Sequence, residues 1–347
     1  MTSRRPHELP TAWSATLLPH PKRFSRSKAI GFCSDAPVGT AETNAGKTSA
    51  CWWPGGQAEL LVLEGFSELD ALFARGDTIP GSWNRRKSGK GGAAAWRASE
   101  TGLVGRDLHD PRFERTWAEG AGGGLVVGVG VHKGKLGRRP RNSGLVWDEA
   151  GTIREITAGE DVSLGATDGT RLAGSVGGRA ALWPAIDAAP IDLATEAMPA
   201  SEVRALDDSL QIGYAFGHDS ARAVIWNGTP ESLRDLTPEG FAEARAFDGA
   251  HGFQVGFVRA RQATPSGLAA FDDRAVIWNG SPDRWLDLNA VLPPPFNAST
   301  AWAIQFTRDS VLICGEAKEV EVSDPGTARE SHGIARCQAV LWTAELR

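Results

Sequence analysis

The heptapeptide RAVIWNG stands twice in the chain, at 222–228 and again at 274–280. An identical run of this length, repeated 52 residues on, marks tandem duplication. Duplication restricts the possible folds more than any other feature of the sequence. Weaker copies carry it along the chain: SACWWPGG (49–56), AAAWRAS (93–99), SGLVWDEAG (143–151), RAALWPA (179–185) and QAVLWTAEL (338–346). Aligned on the indole, they place Trp53, Trp96, Trp147, Trp183, Trp226, Trp278 and Trp342 at spacings of 43, 51, 36, 43, 52 and 64 residues. Repeats of this length build solenoids or propellers, in which each unit buries its apolar face against the next.

One unit can be read strand by strand. FAEARAFDGAHGFQVGFV gives a first strand around Ala244–Phe247, a DGAHG turn and a second strand, QVGFV. A variable loop leads to the third strand, RAVIW. Asn-Gly follows as a turn signal, because both residues tolerate positive φ, and RWLDL is the fourth strand. The Asp-Leu ending recurs in GRDL (105–108), PIDL (190–193) and LRDL (233–236). Four short antiparallel strands per unit make a propeller blade, and no helical periodicity of any length competes with that pattern. The 41 glycines and 20 prolines supply the turns. Repetition also explains how 347 residues fold without outgrowing one ordinary core.

The expected fold is all-β: a seven-bladed β-propeller of four-stranded antiparallel blades. The blades fall near 19–66, 67–108, 109–157, 158–193, 194–236, 237–288 and 289–347. VLWTAELR leaves little chain for a fourth strand in the last blade, and TAWSATLL precedes the first. Residues 11–18 are therefore expected to complete the last blade and cover its open edge. The aligned tryptophans fill the wedges between blades, a burial worth roughly a few kcal/mol each.

The units resemble the bacterial His-Ala-Phe repeat family, with its pattern SxA…GxxVG…HAFLW…G…DL. AEARAFDGAHGFQVGFV, RAVIWNG and LDL carry the likeness. The signature histidine is replaced by arginine at Arg179, Arg222 and Arg274. The resemblance implies a propeller-like fold and brings no catalytic residues with it.

Strands alternate in direction, so loops between second and third strands share a face with the linkers between blades. On that face NRRKSGKGG (84–92), HKGKLGRRPRN (132–142), RARQATPSGLAAFDD (259–273) and GEAKEVEVSDPGTARESHG (315–333) vary while the skeleton stays constant. Arg85, Arg86, Lys87 and Lys90 belong to the second blade; Lys133, Lys135, Arg138, Arg139 and Arg141 belong to the third. With Lys22, Arg23 and Arg26 ahead of the first blade, they form a basic arc. Glu316, Glu319, Glu321, Asp324 and Glu330 make the last blade's loop acidic. Such an arc suits an acidic protein or a small anionic ligand. The formal net charge of −5 and the lack of interleaved aromatics argue against nucleic acid.

A second constellation is expected at the channel mouth. Glu68, Glu114, Glu202 and Glu243 precede the centres of first strands, and His132 and His218 follow second strands. Carboxylates with imidazole nearby could exchange protons as catalytic acid and base. Glu202, Glu243 and His218 could also hold a divalent metal. A hydrolase or lyase acting there on a small substrate is the rival to a binding protein. No other cofactor is implied. NAGKTS (44–49) lacks the first glycine and the following helix of a phosphate loop. GAGGGLVVGVG (120–130) is a turn running into a strand, not a dinucleotide fingerprint. Cys33, Cys51, Cys314 and Cys337 form no CxxC pair, which reads as buried thiols in a reducing cytoplasm. No apolar run is long enough for a leader or a membrane span.

Overall fold

The computed structural model describes residues 8–85, 90–99, 102–134, 140–217, 220–260, 272–323 and 331–346. Strand β1 (Ser14–Leu17) is followed by a first unit of β2 (Arg26–Cys33), β3 (Ala36–Glu42), β4 (Thr48–Trp52) and β5 (Glu59–Leu60). The second unit is β6 (Leu69–Ala71), β7 (Thr78–Arg85), β8 (Lys90–Ser99) and β9 (Gly102–Asp107). The third is β10 (Phe113–Gly122), β11 (Leu125–His132), β12 (Asn142–Trp147) and β13 (Ile153–Ile156). The fourth is β14 (Val162–Thr167), β15 (Leu172–Val176), β16 (Arg179–Trp183) and β17 (Ile191–Asp192). The fifth is β18 (Ala200–Asp207), β19 (Leu210–Phe216), β20 (Ala221–Trp226) and β21 (Arg234–Asp235). The sixth is β22 (Phe241–Ala250), β23 (Phe253–Ala260), β24 (Asp273–Ser281) and β25 (Arg284–Asp287). Last come β26 (Ala298–Phe306), β27 (Ser310–Ser323) and β28 (Ser331–Glu345).

The second to sixth units are separate four-stranded antiparallel sheets. The last and first units share one sheet through a single parallel bridge, Arg26 to Cys337. β1 runs antiparallel to β28, with Ser14 opposite Thr343 and Leu17 opposite Val340. This is the β-propeller arrangement of short, radially repeated sheets.

The aligned tryptophans lie where the repeat places them. Each sits in a different one of seven hydrophobic clusters, and none exposes more than 1% of its surface. A cluster joins consecutive units: Trp147 of the third packs with Ala93 and Leu108 of the second. Four of the indoles also donate to a carbonyl of the preceding linker. Trp53 reaches Pro19 O at 2.9 Å, Trp96 Val62 O at 2.8 Å, Trp147 Leu108 O at 3.0 Å and Trp342 Leu288 O at 3.1 Å. The Trp226 and Trp278 indole nitrogens are buried without a partner.

A second regularity explains the glycine within the second strand of six units. The inner strand gains an extra residue in register between Ala29 and Gly31, Ala118 and Gly120, Leu164 and Ala166, Val203 and Ala205, Ala246 and Asp248, and Ala301 and Ala303. Facing the bulge, the second strand carries glycine: Gly39, Gly128, Gly174, Gly213, Gly256 and Gly315. A Cβ on any of these would lie 1.8–2.1 Å from an inner-strand carbonyl oxygen. The bulge and the glycine go together, and in five of these units the extra residue carries a re-aimed side chain: Ile30, Glu119, Arg204, Phe247 and Trp302.

The segment 315–333, which reads as a charged loop, is largely strand. KEVEVS alternates with period two, and β27 runs through it to Ser323 before β28 returns from Ser331. Glu316 is accordingly buried rather than solvated. All four cysteines are unbridged, and burial pushes the Cys33 thiol up to about 11 and Cys51 up to about 12. Among the described residues no helix is long and apolar enough to cross a membrane.

Candidate functional site

The bulged side chains meet at the axis of the disc. Phe247 stacks on Trp302 with ring centroids 4.3 Å apart, and Trp302 meets the edge of Phe73 at 6.1 Å. The Arg204 guanidinium lies over Phe73 at 4.5 Å. Arg75 reaches in from the second unit and donates to Leu206 O and Gly249 O of the fifth and sixth, each at 2.7 Å. The cavity left among Ile30, Phe73, Arg75, Arg204, Phe247 and Asp248 is about 30 Å³. That admits about one or two waters and no substrate.

Above this plug lies a network of ion pairs. Arg204 Nη1 donates to Glu202 Oε1 at 2.8 Å, and Glu119 lies 3.7 Å from the same guanidinium. The Tyr214 hydroxyl donates to Glu202 Oε2 at 2.6 Å. Burial alone would raise the Glu202 carboxyl, but Arg204 and Tyr214 hold it below its ordinary range. Glu119 is pushed up by burial against the pull of Arg204, and the charge on Glu202 adds to the rise. Glu243 takes Arg245 at 2.9 Å and Arg259 at 2.6 Å. Arg259 also holds Asp273 at 2.7 Å, and Lys318 joins Asp273 at 3.4 Å to Glu316 at 2.9 Å. Burial would lower the Lys318 ammonium, yet Glu316 and Asp273 keep it above its usual value.

The four glutamates expected at the channel mouth do not form one ring. β10 shifts register between Phe113 and Arg115, and β22 between Phe241 and Glu243. An extra residue turns the residues before it to the other face, so counting back from the strand centre fails. Glu114 stands exposed on the first of these shifts. Glu68 is half-buried just ahead of β6. Glu202 and Glu243 do approach the mouth, but each carboxylate is held by arginine and neither is open to a metal. His132 turns outward, its Nε2 lying 2.9 Å from Ser143 Oγ and from Glu155 Oε1 of the outer strand β13. His218 lies outside the described residues. Among the described residues no three His, Cys, Asp or Glu side chains gather as metal ligands.

The basic arc is described in part. Arg86, Lys87, Lys135, Arg138 and Arg139 lie outside the described residues, and Arg85 is placed only as the last residue of β7. Lys90, Arg115, Lys133 and Arg141 are exposed, as are Lys22, Arg23, Arg26 and Lys47 of the first unit. Among the described residues none of these eight has a carboxylate partner. The far side of the face differs. There Arg204, Arg245, Arg259, Arg274, Lys318 and Arg336 each contact a carboxylate, and the half-buried Arg222 is the exception.

Sequence reasoning missed the hydroxyls that stitch adjacent units. Ser27, Thr116, Ser201 and Ser299 stand two residues before the bulge, in the S-x-A position of the repeat. Each accepts a backbone N–H from the third strand of the unit before: Ala339 at 3.0 Å, Ala93 at 2.8 Å, Ala180 at 2.9 Å and Ala275 at 3.2 Å. Ser299 donates to Asn289 Oδ1 at 2.6 Å, and Ser27 and Thr116 lie 3.0 Å from His20 Nδ1 and His109 Nδ1. Burial lowers the pKa of both histidines, which favours the neutral ring. Their signal was the hydroxyl at a fixed offset from each small inner-strand residue.

A disc of repeated antiparallel sheets about a filled axis defines a β-propeller protein. No family model and no curated protein matches the sequence. Among solved structures, a mutant puromycin hydrolase complexed with PGG is 13% identical with a TM-score of 0.58, over 91% of this chain and 54% of that one. The present chain thus spans about half the length of that hydrolase. YCF48 bound to D1 peptide is 12% identical with a TM-score of 0.50, over 98% of this chain and 99% of that one. TolB from Acinetobacter baumannii is 10% identical with a TM-score of 0.49, over 74% and 64% of the two chains. At these identities the likeness to the hydrolase and to YCF48 shows the fold alone.

Proposed function

We propose that the chain is a seven-bladed propeller of the His-Ala-Phe repeat type, closed by β1, which binds an acidic partner across the first three blades. One observation carries the reading: among the described residues eight exposed cations over these blades face solvent without a carboxylate, with Arg112 paired to Asp110, whereas those over the fifth to seventh blades are almost all neutralised within the fold. Exposed charge that the fold leaves unpaired steers an oppositely charged partner and fixes its register. The filled axis supports a ligand lying on the face rather than entering the disc. YCF48, matched along its whole length, holds a peptide, which makes a polypeptide the first class of partner to test.

The test is binding of fluorescein-labelled poly-L-glutamate, with poly-L-lysine as control. Binding of polyglutamate should weaken with added salt. Each exposed contact is worth about 0.2–1 kcal/mol, so changing Lys90, Arg115, Lys133 and Arg141 together to Ser should lower affinity about tenfold. Unchanged affinity in the quadruple variant, or equal binding of polylysine, would remove the proposal.

A further inference from the structure

The last unit leaves a strand edge open beside a basic turn of the first unit. β27 and β28 have 14 and 15 residues and stay paired out to Ser323 and Ser331, well past the end of β26 at Ala298, which faces Lys318. The two edges of this extension are treated differently. On the β27 side the Asn297 side chain stands in for a strand: its amide donates to Val320 O at 3.0 Å and accepts from Val320 N at 2.8 Å. The Val320 backbone therefore points away from β28, so Val320 and its partner Ile334 form a non-hydrogen-bonded pair. The Ile334 N–H and C=O must then point away from β27 as well, and so must those of residue 332. Among the described residues nothing meets them. β1 covers β28 only from Val340 to Thr343, and Leu18 N adds a bond to Ala339 O. Pro19 and Pro21 then take the chain off that track, since proline has no N–H to give to a ladder.

What stands beside the open edge is positive. Arg26 bridges to Cys337, three residues or about 10 Å along the strand from Ile334. Lys22 and Arg23 occupy the centre of a turn closed by Phe24 N on Pro21 O at 3.1 Å, and Lys47 lies on the adjoining loop. Arg23 has φ 74°, a left-handed conformation at the turn position that favours glycine. The chain keeps a cation where backbone geometry asks for Gly. Arg26 stands across the ladder from Glu42 without pairing to it, and Arg336 alone in this group has an acidic contact, Glu319 at 3.1 Å.

We propose that the free edge of β28 at residues 331–336 accepts an extended, acidic segment of a partner protein as an added strand, with Lys22, Arg23, Arg26 and Lys47 reading its carboxylates. Main-chain bonds to Ile334 and residue 332 supply affinity, and the cations supply the choice of sequence. This rests on the acidic-partner reading above and adds to it a place and a backbone geometry.

The probe is a fluorescein-labelled twelve-residue peptide alternating Glu and Val, with a Lys-Val peptide as control, titrated against the full chain by anisotropy. The Glu-Val peptide should bind and the Lys-Val peptide should not. Arg23→Gly should weaken binding about threefold or more while leaving the urea midpoint unchanged or higher, a pair of effects that a structural role for Arg23 would not give. Ile334→Pro removes an outward N–H, so it should abolish binding and spare the hairpin. Independently of that variant's folding, hydrogen exchange at the Ile334 amide of the parent should slow when the peptide is bound. Unprotected Ile334 with binding intact overturns strand addition. If such binding is lost in the Lys90, Arg115, Lys133 and Arg141 variant, the face reading survives without it. Absence of binding by the parent overturns both.

Discussion

Trp147 and Trp226 occupy the same place in the third and fifth repeats and are both fully buried, yet their indole nitrogens differ. Trp147 donates to Leu108 O at 3.0 Å, while Trp226 Nε1 has no partner. Replacing each by Phe removes the same atoms from similar seams, a loss of about 1–2 kcal/mol from burial and imperfect repacking. Trp147→Phe also breaks a buried hydrogen bond and strands the Leu108 carbonyl, adding about 1–3 kcal/mol. Trp226→Phe strands nothing and removes a buried N–H already without a partner, which offsets much of the burial loss. The expected totals are about 2–4 kcal/mol for Trp147→Phe and about 0–1 kcal/mol for Trp226→Phe. Urea denaturation followed by far-ultraviolet circular dichroism measures both, provided the m-values match the parent. Equal losses, or the larger one at Trp226, would show that the indole hydrogen bonds do not govern the strength of a seam.

Three further outcomes follow from the same geometry. Gly256→Ala puts a methyl 1.8 Å from Arg245 O, so it should destabilise by about 1–3 kcal/mol or more, while Gly217→Ala meets nothing within 4 Å and should be nearly neutral in the same urea assay. Arg75→Met deletes two bonds across the axis and leaves the Leu206 and Gly249 carbonyls unpaired, a loss of about 2–4 kcal/mol readable as a lowered thermal midpoint. The third concerns pH. Because burial lowers the folded-state pKa of His20 and His109, the unfolded chain takes up their protons first. Their contribution is complete above the ordinary histidine value of about 6.5 and declines as pH falls below it toward the folded-state value. Changing both to Asn, the acceptor that Ser299 already uses, should flatten the fall in urea midpoint between about pH 7.5 and 5.5. The raised carboxyls of Glu119 and Asp248 act in the opposite sense, so the difference between parent and variant isolates the imidazoles. A pH profile identical in the two proteins would discount the stitch.

The tryptophans and the strand order were legible because indole spacing and period-two alternation are local patterns that survive degeneration of a repeat. The bulges were not. One extra residue in an inner strand leaves composition unchanged but reverses the side chains ahead of it, which is why Glu114 and Glu243 cannot be placed by counting from a strand centre. The pairing of Glu243 with Arg259, or of Asp273 with Lys318, depends on which strands and units lie side by side, and sequence distance gives no sign of it. The open edge of β28 was hidden for another reason. Dense charge in 315–333 suggests a solvated loop, although its alternation is that of a strand. The basic arc, by contrast, was visible as composition, but only the fold separates its unpaired cations from those already neutralised.

The propeller depends on the two ends of the chain sharing one sheet, with Ser14 opposite Thr343 on β1 and β28. Directly opposed antiparallel residues lie about 4.5–5.5 Å apart at Cα, within the span of a disulfide. Peptide mapping of the oxidised Ser14→Cys, Thr343→Cys variant should find these two cysteines joined within one chain, with the native thiols still free. Both introduced thiols remaining reactive in the folded protein would mean that β1 does not lie on β28, and the ring would be open.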